Sequence, residues 1–173
     1  GEPGKRRIVL VSTMHGNEPH SRRILETLRD GRAIRGVDLW VIPTYNPDGL
    51  ARGTRRNARG VDLNRNFLDF SQSLPDNPDY RAIAHLLLPR RQPPTLLSTL
   101  GLLGYSLRHG RMALQGAISR GQSDDPTGMF YAGNAPTWSR LTLERVLQQH
   151  GLQCRRIAWI DIHTGLGPRG IGE

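Results

Sequence analysis

The sequence predicts an α/β fold in which a mixed, mostly parallel sheet carries helices on both faces. Three short runs of β-branched and aliphatic residues have the composition of strands buried on both faces. Segments with helical spacing lie between them, and the first strand, helix and second strand fit into about 40 residues, the length of a βαβ unit. With 36% hydrophobic residues, the 173-residue chain is apolar enough to bury a core.

The first βαβ unit is predicted from residue 7 to residue 44. Residues 7–13 read as the first strand, and a helix of about three turns follows Pro19 and stops at Gly31. Residues 36–44 read as the second strand, which is followed by the turn signal Asn-Pro-Asp-Gly at 46–49. The apolar positions expected on the inner side of the helix are Ile24, Leu25 and Leu28.

The remainder of the chain is predicted to hold a long loop, further helices and a third strand. Residues 50–78 show no sustained periodicity, which is typical of a functional loop around one short element. Residues 156–162 return to strand character and lead directly into His163. Helical patterns cover 79–88, 94–119 and 137–150, and the last of these has Leu141, Val146 and Leu147 as its expected inner positions.

The charge pattern and the length of the apolar stretches argue against nucleic-acid and membrane partners, respectively. The net charge is +9, and 23 of the 24 cations are arginine. The arginines are scattered, and the one dense cluster, between Arg52 and Arg65, contains no aromatic residue, so we expect no nucleic-acid partner. The chain has no apolar stretch near the roughly 20 residues that a bilayer span needs, so we expect no membrane partner.

A single cysteine, Cys154, limits how a metal can be held. It excludes a disulfide framework within the chain and a four-cysteine zinc site, so any metal must be bound by histidine and carboxylate. Residues 1–11 lack the long apolar region and cleavage site of a secretory signal. A cytoplasmic location is therefore expected over secretion.

Two histidines and a glutamate follow the predicted strands. His15 and Glu18 come after the first strand, and His163 comes after the third. Sites in open α/β sheets lie outside the carboxyl ends of strands, and a set of two histidines and one glutamate leaves zinc an open coordination position. Taken alone, however, His15 is more simply a helix cap and Glu18 a carboxylate favoured by the helix dipole.

The segment between these residues carries a specific resemblance. Asn46–Gly49, followed by the run from Thr54 to Phe67, resembles the signature of the zinc metallocarboxypeptidases of the carboxypeptidase A type. That family also begins its site with His-x-x-Glu after a strand and takes its third ligand from a later strand-end histidine. The resemblance implies a carboxypeptidase-like fold in which one zinc ion is bound. The ligands it implies are His15, Glu18 and His163.

The resemblance also assigns roles to four further residues. Asp62 corresponds to the carboxylate that accepts a hydrogen bond from the far nitrogen of the first ligand histidine. Arg55 corresponds to the arginine that polarises the scissile carbonyl and stabilises the oxyanion. Asn64 and Arg65 correspond to the pair that binds the terminal carboxylate of the substrate.

The residues by themselves leave alternatives open. Asp62 and Asn64 can instead organise a turn, and Arg52 competes with Arg55 for the oxyanion role. Asp161 shares a strand face with His163 and is a candidate support for that ligand.

The activity that the resemblance implies is zinc-dependent hydrolysis of a peptide (amide) bond next to a free C-terminal carboxylate. The substrate would be a peptide or an acyl-amino acid, because the long interval between Asn66 and His163 and the ending at 161–168 resemble a less characterised bacterial branch. Its relatives include N-acyl amino acid deacylases of the succinylglutamate desuccinylase and aspartoacylase type. A catalytically inactive zinc- or peptide-binding module is the remaining alternative.

One expected component of that activity is missing from the sequence. The family's glutamate general base lies on a strand well after the third ligand, whereas this chain stops ten residues after His163. We therefore predict that residues 1–173 form one partial catalytic domain, its N-terminal part, which is inactive by itself.

Overall fold

The computed structural model describes residues 6–31, 35–89, 94–151 and 154–164. Contacts divide the chain into two compact units, and each is described by itself. The sheet unit comprises residues 1–59 and 138–173, and the helical unit comprises residues 60–137. The elements of the sheet unit are β1 (Arg6–Ser12), α1 (His20–Arg29), β2 (Val37–Ile42), α2 (Pro47–Arg52), α6 (Trp138–His150) and β3 (Arg156–Ile162).

The three described strands form one parallel sheet in the order β2-β1-β3. Val9 in the centre of β1 pairs with Trp40 on one side and Trp159 on the other, and its side chain is completely buried. The predicted α/β class is confirmed, and β3 has its predicted bounds. The other two strands begin or end within one or two residues of the prediction, because runs of β-branched and aliphatic residues identify buried parallel strands well.

One helix of the sheet unit packs closely against these strands. α1 contacts β1 and β2, and its Leu25 is fully buried. Because crossovers between parallel strands are almost always right-handed, the steps from β1 outward to β2 and back past β1 to β3 are expected to put α1 and α6 on opposite faces of the sheet. Some expected inner positions were wrong: Ile24, Leu28 and Leu141 are about half-exposed. In α6 the buried residue is Leu143, which lies about 200° around the helix from Leu141.

A buried arginine links α6 to the strands. Arg7 in β1 is 2% exposed, and its guanidinium lies 3.7 Å from the centre of the Trp40 ring. It pairs with Asp38 at 3.1 Å and donates a hydrogen bond to the carbonyl of His150, the last residue of α6. A cation at a helix C-terminus is electrostatically favoured, so this contact holds the end of α6 against the sheet.

The helical unit is built around three helices and a short 3-10 turn. These elements are the 3-10 turn at Leu63–Arg65, α3 (Pro78–Leu87), α4 (Leu96–His109) and α5 (Arg111–Ser119). The predicted helical segment 94–119 is two helices, because Gly110 adopts φ +92° between them. Asn77 caps α3 by accepting from the Tyr80 amide, while its own amide group donates to the carbonyls of Ala117 and Gly121. Among the described residues, no helix is both long and apolar enough to cross a bilayer.

Candidate metal centre

The loop that follows β1 begins with a strained residue. Thr13 has φ +56°, a left-handed conformation that β-branched residues rarely adopt. The hydroxyls of Ser12 and Thr13 donate to the Pro43 carbonyl at 2.8 and 3.1 Å. The amides of Tyr45 and Asn46 donate to the carbonyls of Ser12 and Thr13, each at 3.0 Å. The loop after β1 is thereby fastened to the loop after β2, and this compensates for the strained backbone.

Asn46 joins three segments around this point. Its side chain is 1% exposed, and its amide nitrogen donates to the carbonyls of Met14 at 3.4 Å and Arg55 at 3.2 Å. Its oxygen accepts from the Gly49 amide at 2.9 Å, so the sequence-predicted turn 46–49 is the start of α2. Gly16 packs directly on that start: a Cβ there would lie 1.9 Å from the carbonyl carbon of Gly49.

His15 and Glu18 are brought together by this loop. The Nδ1 atom of His15 lies 2.9 Å from Oε1 of Glu18, and the two side chains are 3% and 13% exposed. The other oxygen of Glu18 accepts from the Thr164 amide at 3.0 Å, which ties the loop after β1 to the residues after β3. Burial alone would raise the pKa of Glu18, but the hydrogen bonds from Thr164 and the charge of His15 outweigh it and lower the pKa.

His163 completes the cluster. Its ring centre lies 4.7 Å from that of His15, and the two planes meet at 66° in an edge-to-face arrangement. Its Nδ1 atom lies 3.1 Å from Oδ2 of Asp161, and this hydrogen bond raises the pKa of His163 although burial acts in the opposite direction. Its Nε2 atom is buried and has no hydrogen-bond partner among the described residues.

Arg55 lies beside the cluster. Its Nη1 atom is 3.9 Å from Oε1 of Glu18, and its side chain is 33% exposed. Its backbone carbonyl is held by Asn46. Arg52, the alternative for the oxyanion role, is the exposed last residue of α2.

The three predicted ligands are residue types that bind zinc, and they lie near one another. Two imidazoles and a carboxylate form a set that binds zinc with an open coordination position. The buried Nε2 atom of His163 has no hydrogen-bond partner among the described residues. His15 and Glu18 are hydrogen-bonded to each other. Within the described ranges, no group of three metal-binding side chains has the spacing that would hold an ion. Zinc binding therefore stays a prediction.

Asp62 and Asn64 belong to the helical unit, where they organise a turn. Asp62 is fully buried; its carboxylate accepts from the Asn64 amide at 3.0 Å, and its own amide donates to the Tyr131 carbonyl at 2.8 Å. The turn role that the sequence left open is thus present. The expected hydrogen bond between Asp62 and His15 stays a prediction.

Arg65 is rigidly held in the same unit. Its Nε and Nη2 atoms donate to the Ser119 carbonyl at 2.9 and 2.6 Å, and its Nη1 atom donates to the Asn64 carbonyl at 3.1 Å. Asn64 and Arg65 line a pocket of about 170 Å³ together with apolar residues that include Phe67 and Leu68. A volume of this order accommodates a benzene-sized group.

Three residues that shape the site were not singled out by sequence reasoning as site residues. They are Thr13, Gly16 and Asn46, and their neighbourhood was read as a strand end and a turn. The available signal was the glycine in His-Gly-Asn-Glu together with the Asn-Pro-Asp-Gly motif, since buried amides and close backbone approaches concentrate in such motifs.

A parallel α/β sheet with two histidines and a glutamate at strand ends is the arrangement expected of a metallocarboxypeptidase-like protein. Similar proteins carry carboxypeptidase names. Carboxypeptidase D of Anas platyrhynchos is 29% identical over 162 residues, which are 74% of this chain and 11% of that protein. Carboxypeptidase E of Caenorhabditis elegans is 37% identical over 92 residues, 39% of this chain and 20% of that protein. Carboxypeptidase SOL1 of Arabidopsis thaliana is 36% identical over 97 residues, 49% of this chain and 18% of that protein.

The chain thus spans a fifth or less of the length of these relatives. No solved structure matches it. The sequence profile of DUF2817, described as a protein of unknown function, matches residues 1–173, and the chain belongs to that family. The predicted kinship with the metallocarboxypeptidases is confirmed.

Proposed function

We propose that the whole protein is a zinc-dependent hydrolase that cleaves a peptide (amide) bond adjacent to a free C-terminal carboxylate. The observation that carries the proposal is the convergence of His15, Glu18 and His163 beyond the carboxyl ends of two adjacent parallel strands. The carboxypeptidase relatives support the hydrolase class.

The three ligands would hold the ion, and zinc when bound supplies an activated water and a Lewis acid for the scissile carbonyl. Glu18 is suited to binding the ion because a carboxylate is ionised near neutral pH, and the hydrogen bonds from Thr164 and the charge of His15 lower its pKa further. Arg55 lies beside Glu18 and is the group that would stabilise negative charge on the carbonyl oxygen. Its backbone carbonyl is held by a buried amide, which fixes the backbone from which the side chain extends toward Glu18.

Asn64 and Arg65 would bind the substrate carboxylate. A planar guanidinium can contact both carboxylate oxygens, and the hydrogen bonds from Arg65 to Ser119 reduce the entropy lost when a ligand binds. Asp62 would support His15 through the imidazole nitrogen that faces away from the metal.

The first test is the metal content of the full-length protein. We expect about one zinc ion per chain in the wild type and a loss of zinc in a His15→Ala/His163→Ala variant. His85→Ala, at an exposed position of α3, is the matched control and should retain the metal. Equal zinc content in the wild type and the double variant would overturn the proposal.

The second test compares three substrates with the same scissile amide: a peptide with a free C-terminus, its C-terminal amide and an N-acyl amino acid. We expect hydrolysis of the free-acid peptide and at least a tenfold lower kcat/KM for the amide. Hydrolysis of the acyl-amino acid alone would establish the deacylase alternative instead. Zinc binding without hydrolysis of any of the three would establish a binding module.

A further inference from the structure

Helix α4 of the helical unit turns its apolar side to solvent. Its leucine stripe consists of five residues that are each between 51% and 79% exposed: Leu96, Leu97, Leu100, Leu103 and Leu107. Because an α-helix rotates by about 100° per residue, these five positions lie within an arc of about 120°. An apolar stripe of that width is the side that a helix normally buries against a neighbour.

The side of α4 that packs inside the helical unit is a different one. α4 contacts α3 and α5, and Ser98 is the residue of α4 that is buried. A Cβ at Gly101 would lie 2.8 Å from the Leu86 side chain of α3. The packing of α4 on its neighbours therefore leaves the leucine stripe uncovered. Five leucines in this state expose on the order of 500 Å², which is large for an apolar patch with no binding role.

The spacing within the leucine stripe is that of a seam between two helices. Four of its members follow one another at intervals of four, three and four residues, namely Leu96, Leu100, Leu103 and Leu107. Alternating intervals of three and four keep apolar side chains in line along a partner helix. The order four, three, four is the same in both chain directions. Two antiparallel copies of α4 would therefore match Leu96 with Leu107 and Leu100 with Leu103, as a two-fold axis requires.

The charges of α4 favour this antiparallel orientation. The helix has no acidic residue, and its cationic side chains, Arg108 and His109, lie in the last turn. In a parallel pair the two basic ends would lie side by side and repel each other. In an antiparallel pair they would be about 20 Å apart, which is more than twice the Debye length of roughly 8 Å at physiological salt.

We propose that the leucine stripe of α4 is a homodimer surface, on which a second copy of this chain packs its own α4 antiparallel about a two-fold axis. The two copies together would bury on the order of 1,000 Å², which is near the lower limit for a specific interface. The dimer should therefore be reversible, with a dissociation constant of about 1–100 µM.

The first test is sedimentation velocity of the full-length protein from about 1 to about 200 µM. We expect a monomer–dimer equilibrium in the wild type and at least about tenfold weaker association in Leu100→Glu/Leu103→Glu, because this change places carboxylates opposite one another in the seam. Both leucines are half-exposed, so the variant should fold, and circular dichroism checks this. Ile24→Glu is the matched control, since Ile24 is 55% exposed on α1, and it should associate like the wild type.

The second test fixes the orientation and does not depend on disrupting the surface. It uses a full-length background in which the native cysteines, Cys154 among them, are replaced by serine. Leu96→Cys/Leu107→Cys should form a covalent dimer on mild oxidation, because these positions face each other in the antiparallel pair. Each single variant should stay uncrosslinked, because its two thiols would lie about 16 Å apart, beyond the roughly 7 Å that a disulfide spans between Cα atoms.

Three outcomes would overturn the proposal. The first is a wild type that stays monomeric over this range, whether the leucine stripe then binds phosphatidylglycerol vesicles or is covered by another part of the full-length protein. The second is a dimer that persists unchanged in the folded Leu100→Glu/Leu103→Glu variant, which would place the interface on another surface. The third is cross-linking of the single cysteine variants with the same yield as the double variant, which would exclude the antiparallel pair.

Discussion

His15 and His163 meet at one end of the sheet, yet the residues around them differ in kind. His15 is 2% exposed and lies on a loop that hydrogen bonds of Ser12, Thr13 and Met14 fasten to residues 43–46. His163 follows β3, most of whose residues are exposed, and its ring is oriented by the carboxylate of Asp161. The first predicted ligand is thus placed by backbone packing and the third by a side chain, so different substitutions should displace them.

The strands that carry the two histidines account for this difference. β1 is paired on both sides, and Val9 and Val11 are completely buried. β3 is paired with β1 alone in the described part of the chain, and its Ile157 and Ile160 are each 48% exposed. Local stability follows buried contacts, so we expect the end of β3 to open more readily than the end of β1.

The largest effect on the free energy of unfolding is expected for Gly16→Ala, which would disrupt the backbone packing of the loop that carries His15. The added Cβ would lie 1.9 Å from the Gly49 carbonyl carbon and 2.2 Å from the Leu50 nitrogen, and no side-chain rotation relieves a clash with backbone. The free energy of unfolding should fall by at least about 3 kcal/mol in urea denaturation.

Gly104→Ala is the matched control for that substitution. Gly104 lies in α4 with open space where its Cβ would be, so the same change should stabilise by about 0.5–1 kcal/mol. Equal stability of the two variants would show that Gly16 is not required for close packing.

The next effect is expected for Asn46→Asp, which keeps the shape and the acceptor of the side chain. It replaces a donor to the carbonyls of Met14 and Arg55 with a carboxylate oxygen that repels both. The free energy of unfolding should fall by about 2–3 kcal/mol. The exposed Asn134→Asp serves as control and should change stability by less than about 0.5 kcal/mol, measured by the same denaturation.

A third pair of substitutions compares the stability contributed by β1 with that contributed by β3. Val9→Thr places a hydroxyl in a fully buried position of β1 and should destabilise by about 1–3 kcal/mol. Ile157→Thr in β3 keeps a β-branched residue at a half-exposed position and should destabilise by less than about 1 kcal/mol. Equal losses in thermal and urea unfolding would contradict the contrast between the strands.

The smallest effect concerns the strain at Thr13. Thr13→Ala loses the hydrogen bond to Pro43 and keeps the left-handed backbone, whereas Thr13→Gly loses the same bond and relieves the strain. The glycine variant should therefore be more stable than the alanine variant by about 1 kcal/mol. The opposite order in urea denaturation would mean that the backbone at residue 13 is not strained.

Local sequence patterns were sufficient to predict the strands and the order in which the predicted ligands follow them. β3 has its predicted bounds because a continuous aliphatic and β-branched run is a property of the segment itself. His15, Glu18 and His163 follow strands that were recognised in the same way, and the ends of parallel strands meet at one edge of a sheet. By contrast, Leu141 was predicted as inner and is exposed, because which side of a helix is covered depends on its neighbours.

Tertiary structure alone decided how the site is supported. Asn46 reaches Met14 across 32 positions, and Arg65 reaches Ser119 across 54. No local sequence pattern predicts either contact, because each depends on where distant backbone carbonyls lie after folding. The sequence by itself therefore determined the strands, the residue types of the candidate site and the family. The folded chain determined which buried amides, carbonyls and carboxylates hold those residues, because a buried polar group must find its partner wherever packing places one.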